Sequence, residues 1–209
     1  MIRIITIERE YGSGAAEIAE MLAQQLGWKL WDKDLTAEIA KMANCRRSAV
    51  EEREERLDPL FHRLTRSFWR GSHEGSIAVD PLQMLDADSI VRFSERIVNR
   101  ASSEGNCVIV GRGSQHFLQD HDDTLRFFFY APRSDKVERL VREGTARKEA
   151  EHLIDTVDRE RAAFIKTFFH VEWPDRNVYH AMINTASGDA AVVRAVLSFM
   201  QTEPAKRAA

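Results

Sequence analysis

The residues best suited to chemistry lie in one short segment, Glu8-Arg9-Glu10-Tyr11-Gly12-Ser13-Gly14. It follows an apolar run and precedes a helical pattern. A glycine turn in that setting can point backbone N–H groups at a phosphate, with the positive end of the next helix behind them. Gly12 and Gly14 allow an anion to approach closely, and Ser13 can add a hydroxyl donor. The full phosphate-binding pattern is G-x-x-x-x-G-K-[ST]. Here Arg9 holds the first glycine position, Gly14 the second, Ala15 the lysine position and Ala16 the hydroxyl position. The lysine charge is therefore missing, and Arg9 is the nearest candidate to replace it by folding back over the turn. The competing expectation is that Arg9 pairs with Glu8 or Glu10 at the surface, and that Gly-Ser-Gly is only a tight strand–helix connection.

Further candidates follow along the chain. Asp32, at the end of Trp28–Trp31, can accept from a ribose or base donor or cap the helix beginning near Leu35. Arg112 stands between Gly111 and Gly113 after the apolar run Cys107–Val110. Its guanidinium matches phosphate bidentately, or it is a surface arginine in a flexible turn. Arg139, Arg142 and Arg147 lie on or near one helix, and Asp158, Arg159 and Arg161 on another. Charges on helices usually form solvated faces. Phosphoryl transfer nevertheless requires cations around the migrating group, because electrostatics carries most of its catalysis.

The elements that must position these groups alternate. Ile2–Ile7, Cys107–Val110 and Leu125–Tyr130 are short β-branched or aromatic runs, suited to strands buried on both faces of a parallel sheet. Trp28–Trp31 and His180–Thr185 are weaker strand candidates. Helical spacing covers Ala15–Leu26, which stops at Gly27, then Asp88–Ala101, Ser134–Arg142 and Ala190–Met200. This alternation predicts a doubly wound α/β sheet. Asn44–Asp86 and Thr145–His170 fit it poorly. They read as solvated helical excursions or as mobile lobes over a ligand site. The segment after Met200 reads as a frayed tail.

Composition narrows the classes. The 209 residues carry 30 Lys+Arg against 33 Asp+Glu, a net charge of -3, with 44% hydrophobic residues. That supports a core, argues against disorder and disfavours nucleic acid as a main partner. Cys45 and Cys107 show neither disulfide-scaffold nor zinc spacing. No run approaches a membrane helix, and the opening residues do not resemble a targeting segment, so the chain reads as cytoplasmic.

Together the motifs resemble the cytidylate-kinase-like family of P-loop nucleoside monophosphate kinases. The matching pieces are IITIEREYGSGAAEIAEMLAQQLGWKLWDKDL, VIVGRG, RFFFYAPRSDKVERLVR, DRERAAF and NVYHAMINT, in family order. The resemblance implies a five-stranded parallel sheet in one domain, 1–209, with a monophosphate-binding lobe at 44–86, a lid at 145–170 and a frayed tail at 201–209. It implies ATP and Mg2+ as cofactors and a nucleoside monophosphate, CMP- or dCMP-like, as acceptor. Gly12, Ser13 and Gly14 would hold ATP phosphates, flanked by Arg9, Ala15, Ala16 and Glu17. Asp32 and Arg112 would hold the acceptor, while Arg139, Arg159 and Arg161 would serve transfer. Ala15 replaces the family lysine, Glu17 a small hydroxyl residue, and Glu38 an arginine. These departures keep two alternatives open: a nucleotide-binding regulatory protein without turnover, and a kinase of another small phosphoacceptor.

Overall fold

Ile4–Arg9 forms β1, every residue of it buried. In this computed structural model residues 1–32, 38 and 87–201 are described. The expected lobe at 44–86 lies outside the described residues, as does the tail beyond Gln201. Four further strands join β1: Lys29–Trp31 (β2), Cys107–Val110 (β3), Thr124–Tyr130 (β4) and Ala181–Asn184 (β5). Their order is β2-β3-β1-β4-β5, all parallel. Helices are Ala15–Leu26 (α1), Ala87–Glu104 (α2), Ser114–Phe117 (α3), Arg133–Arg142 (α4), Arg147–Phe169 (α5) and Asp189–Gln201 (α6).

The sheet sorts its side chains by the two-residue period of a strand. Ile5 and Ile7 of β1 face α1 and α6, packing with Ile18, Leu22, Val108, Phe127, Phe129 and Val192. Ile4 faces the other way, toward Phe93, Ile97 and Val98 of α2. A third cluster joins Tyr11 of the glycine turn to Val137 and Leu140 of α4 and to Ala150, Ile154 and Val157 of α5. Because all five strands are parallel, their C-terminal ends share one edge. Open α/β sheets bind ligands in the crevice outside that edge. The turns after β1 and β3 lie side by side there, as Ile7 pairs with Val110.

Candidate active site

The glycine turn has the geometry of an anion cradle. Gly12 and Gly14 take positive φ, 78° and 76°. Gly14 caps α1 without any side-chain hydrogen bond, which leaves the first-turn amides for a ligand. The Ser13 hydroxyl is buried and has no hydrogen-bond partner. Ala15 and Ala16 are buried; Ala15 packs in the core rather than lining the turn. Glu17 is half-buried in the first turn of α1.

The cation at this turn is Arg139. Its guanidinium lies so close over Gly14 that a Cβ there would overlap it. Asp189, at the start of α6, holds it through a 3.2 Å bond to Nη2. A second cation comes from the same helix. Lys136 packs under Gly12, donates to Glu10 at 2.8 Å and lies 3.7 Å from Asp158.

Arg9 does not fold over the glycine turn. Its guanidinium lies on Gly111, where a Cβ would overlap Nη1, and so belongs to the β3 side of the edge. The reason is Glu8. Its Oε1 accepts from the Arg9 backbone N–H at 3.0 Å and lies 3.4 Å from Nη1, while its Oε2 accepts from Gln115 at 3.1 Å. The pairing of Arg9 with Glu8 expected at the surface is thus present but buried, and Glu10 is engaged by Lys136.

Arg9 thereby joins Arg112 and Arg161. The three line one recess with Glu8, Gly113, Phe164 and Ile165. Arg112 is 4% exposed and Arg161 7%. Burial, with Arg9 and Arg161 adding to it, pulls the Arg112 guanidinium down to about 9, against the opposing charges of Asp32 and Glu8. Burial and Arg9 likewise lower Arg161. Asp32 is buried at the end of β2, close enough to support the Arg112 charge. The helix it was expected to cap near Leu35 lies outside the described residues.

Arg161 also fastens α5 to the sheet. Its Nη1 donates to the Arg9 carbonyl at 3.0 Å and to Asp158 at 3.2 Å. Asp158 accepts from the Tyr11 amide at 2.8 Å. Burial raises the Asp158 carboxyl, while Arg161, the Tyr11 amide and Lys136 pull it down. The far end of α5 rests on α3: Phe169 stacks on His116 with ring centroids 4.4 Å apart. The region expected as a lid is one 23-residue helix, packed on α4 and Tyr11 through Ala150, Ile154 and Val157 and lining the recess with Arg161, Phe164 and Ile165. Arg159 is exposed on that helix and does not line the recess.

The sequence reading missed Gln115 and Lys136, and took Glu8 only as a surface partner of Arg9. Lys136 had a usable signal, since it shares the buried face of α4 with Val137 and Leu140. Glu8 and Gln115 pair across 107 residues, which no local pattern shows.

Nucleotide phosphates fit the uncapped α1 terminus and the unpartnered Ser13 hydroxyl. For magnesium the fit is narrower. Among the described residues no three His, Cys, Asp or Glu groups converge to hold a metal. An ion here would rest on the nucleotide's own phosphates and on water, as magnesium commonly does.

Among solved structures, the chain resembles an uncharacterized protein from Eubacterium ventriosum ATCC 27560, with TM-score 0.67 and 22% identity over 97% of this chain and 99% of that one. Shikimate kinase from Acinetobacter baumannii, in complex with shikimate, follows at TM-score 0.54 and 14% identity, covering 99% and 97%. Shikimate kinase from Bacteroides thetaiotaomicron gives 0.52 and 12%, covering 96% and 99%. These likenesses establish the fold of small P-loop kinases and nothing finer. No curated protein matches the chain. No helix among the described residues is long and apolar enough to cross a membrane. The cytidylate kinase-like family matches residues 4–187, from the first residue of β1 to the turn before α6, and the chain belongs to that family.

Proposed function

We propose that the protein transfers a phosphoryl group from ATP to a nucleoside monophosphate of the CMP or dCMP kind. The observation that carries this reading is the pairing of two anion-adapted places on one sheet edge. One is the glycine turn with its uncapped helix and Arg139; the other is the arginine recess beside it. A phosphoryl acceptor must sit in line with the donor, and the two turns lie side by side.

The roles divide accordingly. Gly12, Ser13 and Gly14 hold donor phosphates through amides and a hydroxyl. Arg139 supplies the charge that Ala15 cannot, once a phosphate draws it from Asp189. Asp32 and Arg112 orient the acceptor, and Arg161 keeps α5 closed over the recess so that water is excluded. When bound, magnesium would neutralise charge on the donor phosphates. Arg159, exposed on α5, needs a movement of that helix to reach the reacting groups.

A coupled assay of ADP formation, with ATP, magnesium and a panel of nucleoside monophosphates, tests the proposal. Saturable turnover with a pyrimidine monophosphate supports it. Turnover only with a phosphate-free acceptor redirects it to another small-molecule kinase. Ala15, buried in the core, favours the second reading, a nucleotide-binding protein without turnover. ATP binding with no acceptor turned over selects that one.

A further inference from the structure

We infer that Arg9 is an acceptor ligand: with Arg112 and Arg161 it forms a site for a doubly charged phosphate group. This deepens the proposed function, on whose two-site reading it rests. It moves Arg9 from the donor to the acceptor end.

The first support is position. Gly111 takes φ +67° and leaves the space that the Arg9 guanidinium fills. A Cβ at 111 would overlap this guanidinium and make it shift, so the turn after β3 leaves room for it.

The second support is an unmet need. Arg9 is 7% exposed, and its Nε is buried without a hydrogen-bond partner. A guanidinium offers five N–H donors in a fixed fork. Glu8 answers only Nη1, at 3.4 Å, and spends the same oxygen on the Arg9 amide. Its other oxygen is held by Gln115. Buried polar groups are nearly always partnered, and an exception calls for a missing partner.

The third support is the company Arg9 keeps. Arg112 and Arg161 line the same recess; burial lowers the proton affinity of both, Arg9 lowers both further, and Arg161 also lowers Arg112. Arginine does not relieve such crowding by losing its proton under ordinary conditions. An anion relieves it. Guanidinium donors from three sides suit a group with three equatorial oxygens and a charge near -2 better than they suit a carboxylate. A phosphomonoester and free phosphate share that chemistry.

The test titrates wild type, Arg9→Gln and Arg9→Lys by calorimetry with inorganic phosphate, CMP and ATP in turn, with thermal melts to confirm folding. Arg9→Gln is expected to weaken CMP or phosphate by about tenfold or more, while ATP affinity stays within about twofold. Arg9→Lys, which keeps the charge but loses the fork, should recover part of the loss; should Arg9→Gln fail to fold, Arg9→Lys carries the comparison, with CMP or phosphate weakened and ATP not. Tighter binding of CMP than of phosphate makes a monoester the occupant, and the reverse makes it the free ion. Unchanged CMP and phosphate affinities in the folded variants, or a loss confined to ATP, would overturn the inference, as would a wild type that binds neither anion. Arg9-dependent anion binding without turnover of any monophosphate would instead sink the transfer reading and leave this one standing.

Discussion

In the proposed function, Arg139 and Ala15 together set where positive charge meets a donor phosphate. A lysine at 15 would leave from a backbone position whose side chain now packs against the sheet. Arg139 reaches the same turn from α4 and rests on Asp189. Arg139→Ala should weaken ATP binding by about 1.5–3 kcal/mol, read by calorimetry, with the fold retained. Unchanged affinity would remove Arg139 from the donor site. Gly14 makes this approach feasible. Gly14→Ala puts a methyl into the space of the guanidinium and forces a non-glycine residue to φ 76°. A left-handed conformation costs roughly 1–2 kcal/mol for such a residue. Urea denaturation should show a loss of that size, together with weaker ATP binding. Restoring the missing lysine carries its own penalty. Ala15 is 3% exposed, so Ala15→Lys overpacks the core and should cost about 1–3 kcal/mol. A neutral Ala15→Lys in the same denaturation assay would show that the side chain escapes to the turn.

At the scale of elements, periodicity was informative where burial is continuous. Cys107–Val110 and Ala15–Leu26 have the same limits in sequence and structure, and all five strand candidates are strands. Strand β1 shows where hydrophobicity stops being a guide. The apolar run ends at Ile7, but the strand continues through Glu8 and Arg9, whose polar side chains are buried at the edge, Glu8 on Gln115 and Arg9 against Gly111. Four-residue α3 is too short to display a period. The charged stretch in α5 concealed its role for another reason: Asp158 and Arg161 look like solvated charges until β1 lies beneath them, and their contacts span 147 and 152 residues. For the same reason the sequence singled out Arg9 but could not show that its guanidinium lies on the Gly111 side of the edge. The docking of α5 can be tested directly. Removing one member of a buried ion pair leaves the other uncompensated, a loss of about 3 kcal/mol. Asp158→Ala should cost that much in chemical denaturation. Asp158→Asn should cost less, because an amide oxygen can still accept from the Tyr11 N–H. If the two variants lose the same small amount, the Tyr11 bond is not what holds the helix.

At the scale of the whole molecule, β3 contributes to the core clusters on both faces of the sheet, Val108 and Val110 to one and Cys107 and Ile109 to the other, so β3 is exposed only when the layers separate. Cys107 reports on that event. It is fully buried between α2 and the sheet. Burial, with Glu104 and Asp123 adding to it, pushes its thiol up to about 12. Only the thiolate reacts readily with disulfide reagents. In a Cys45→Ser background, Cys107 should therefore label only through unfolding. Because ligands bind the native state alone, ATP at 100 times its Kd should slow labelling by about a hundredfold, equivalent to about 2.7 kcal/mol, where refolding outpaces the reagent. The same burial gives a pH signature. The folded thiol keeps its proton to about 12, whereas an unfolded cysteine loses it above about 8.5. Between those values the native state binds one proton more, so stability falls as pH rises, by up to about 1.4 kcal/mol per pH unit from this group. Subtracting the profile of a Cys107→Ala variant isolates that slope. Rapid labelling of native protein, or identical alkaline profiles for the two proteins, would show that β3 opens without the rest of the sheet.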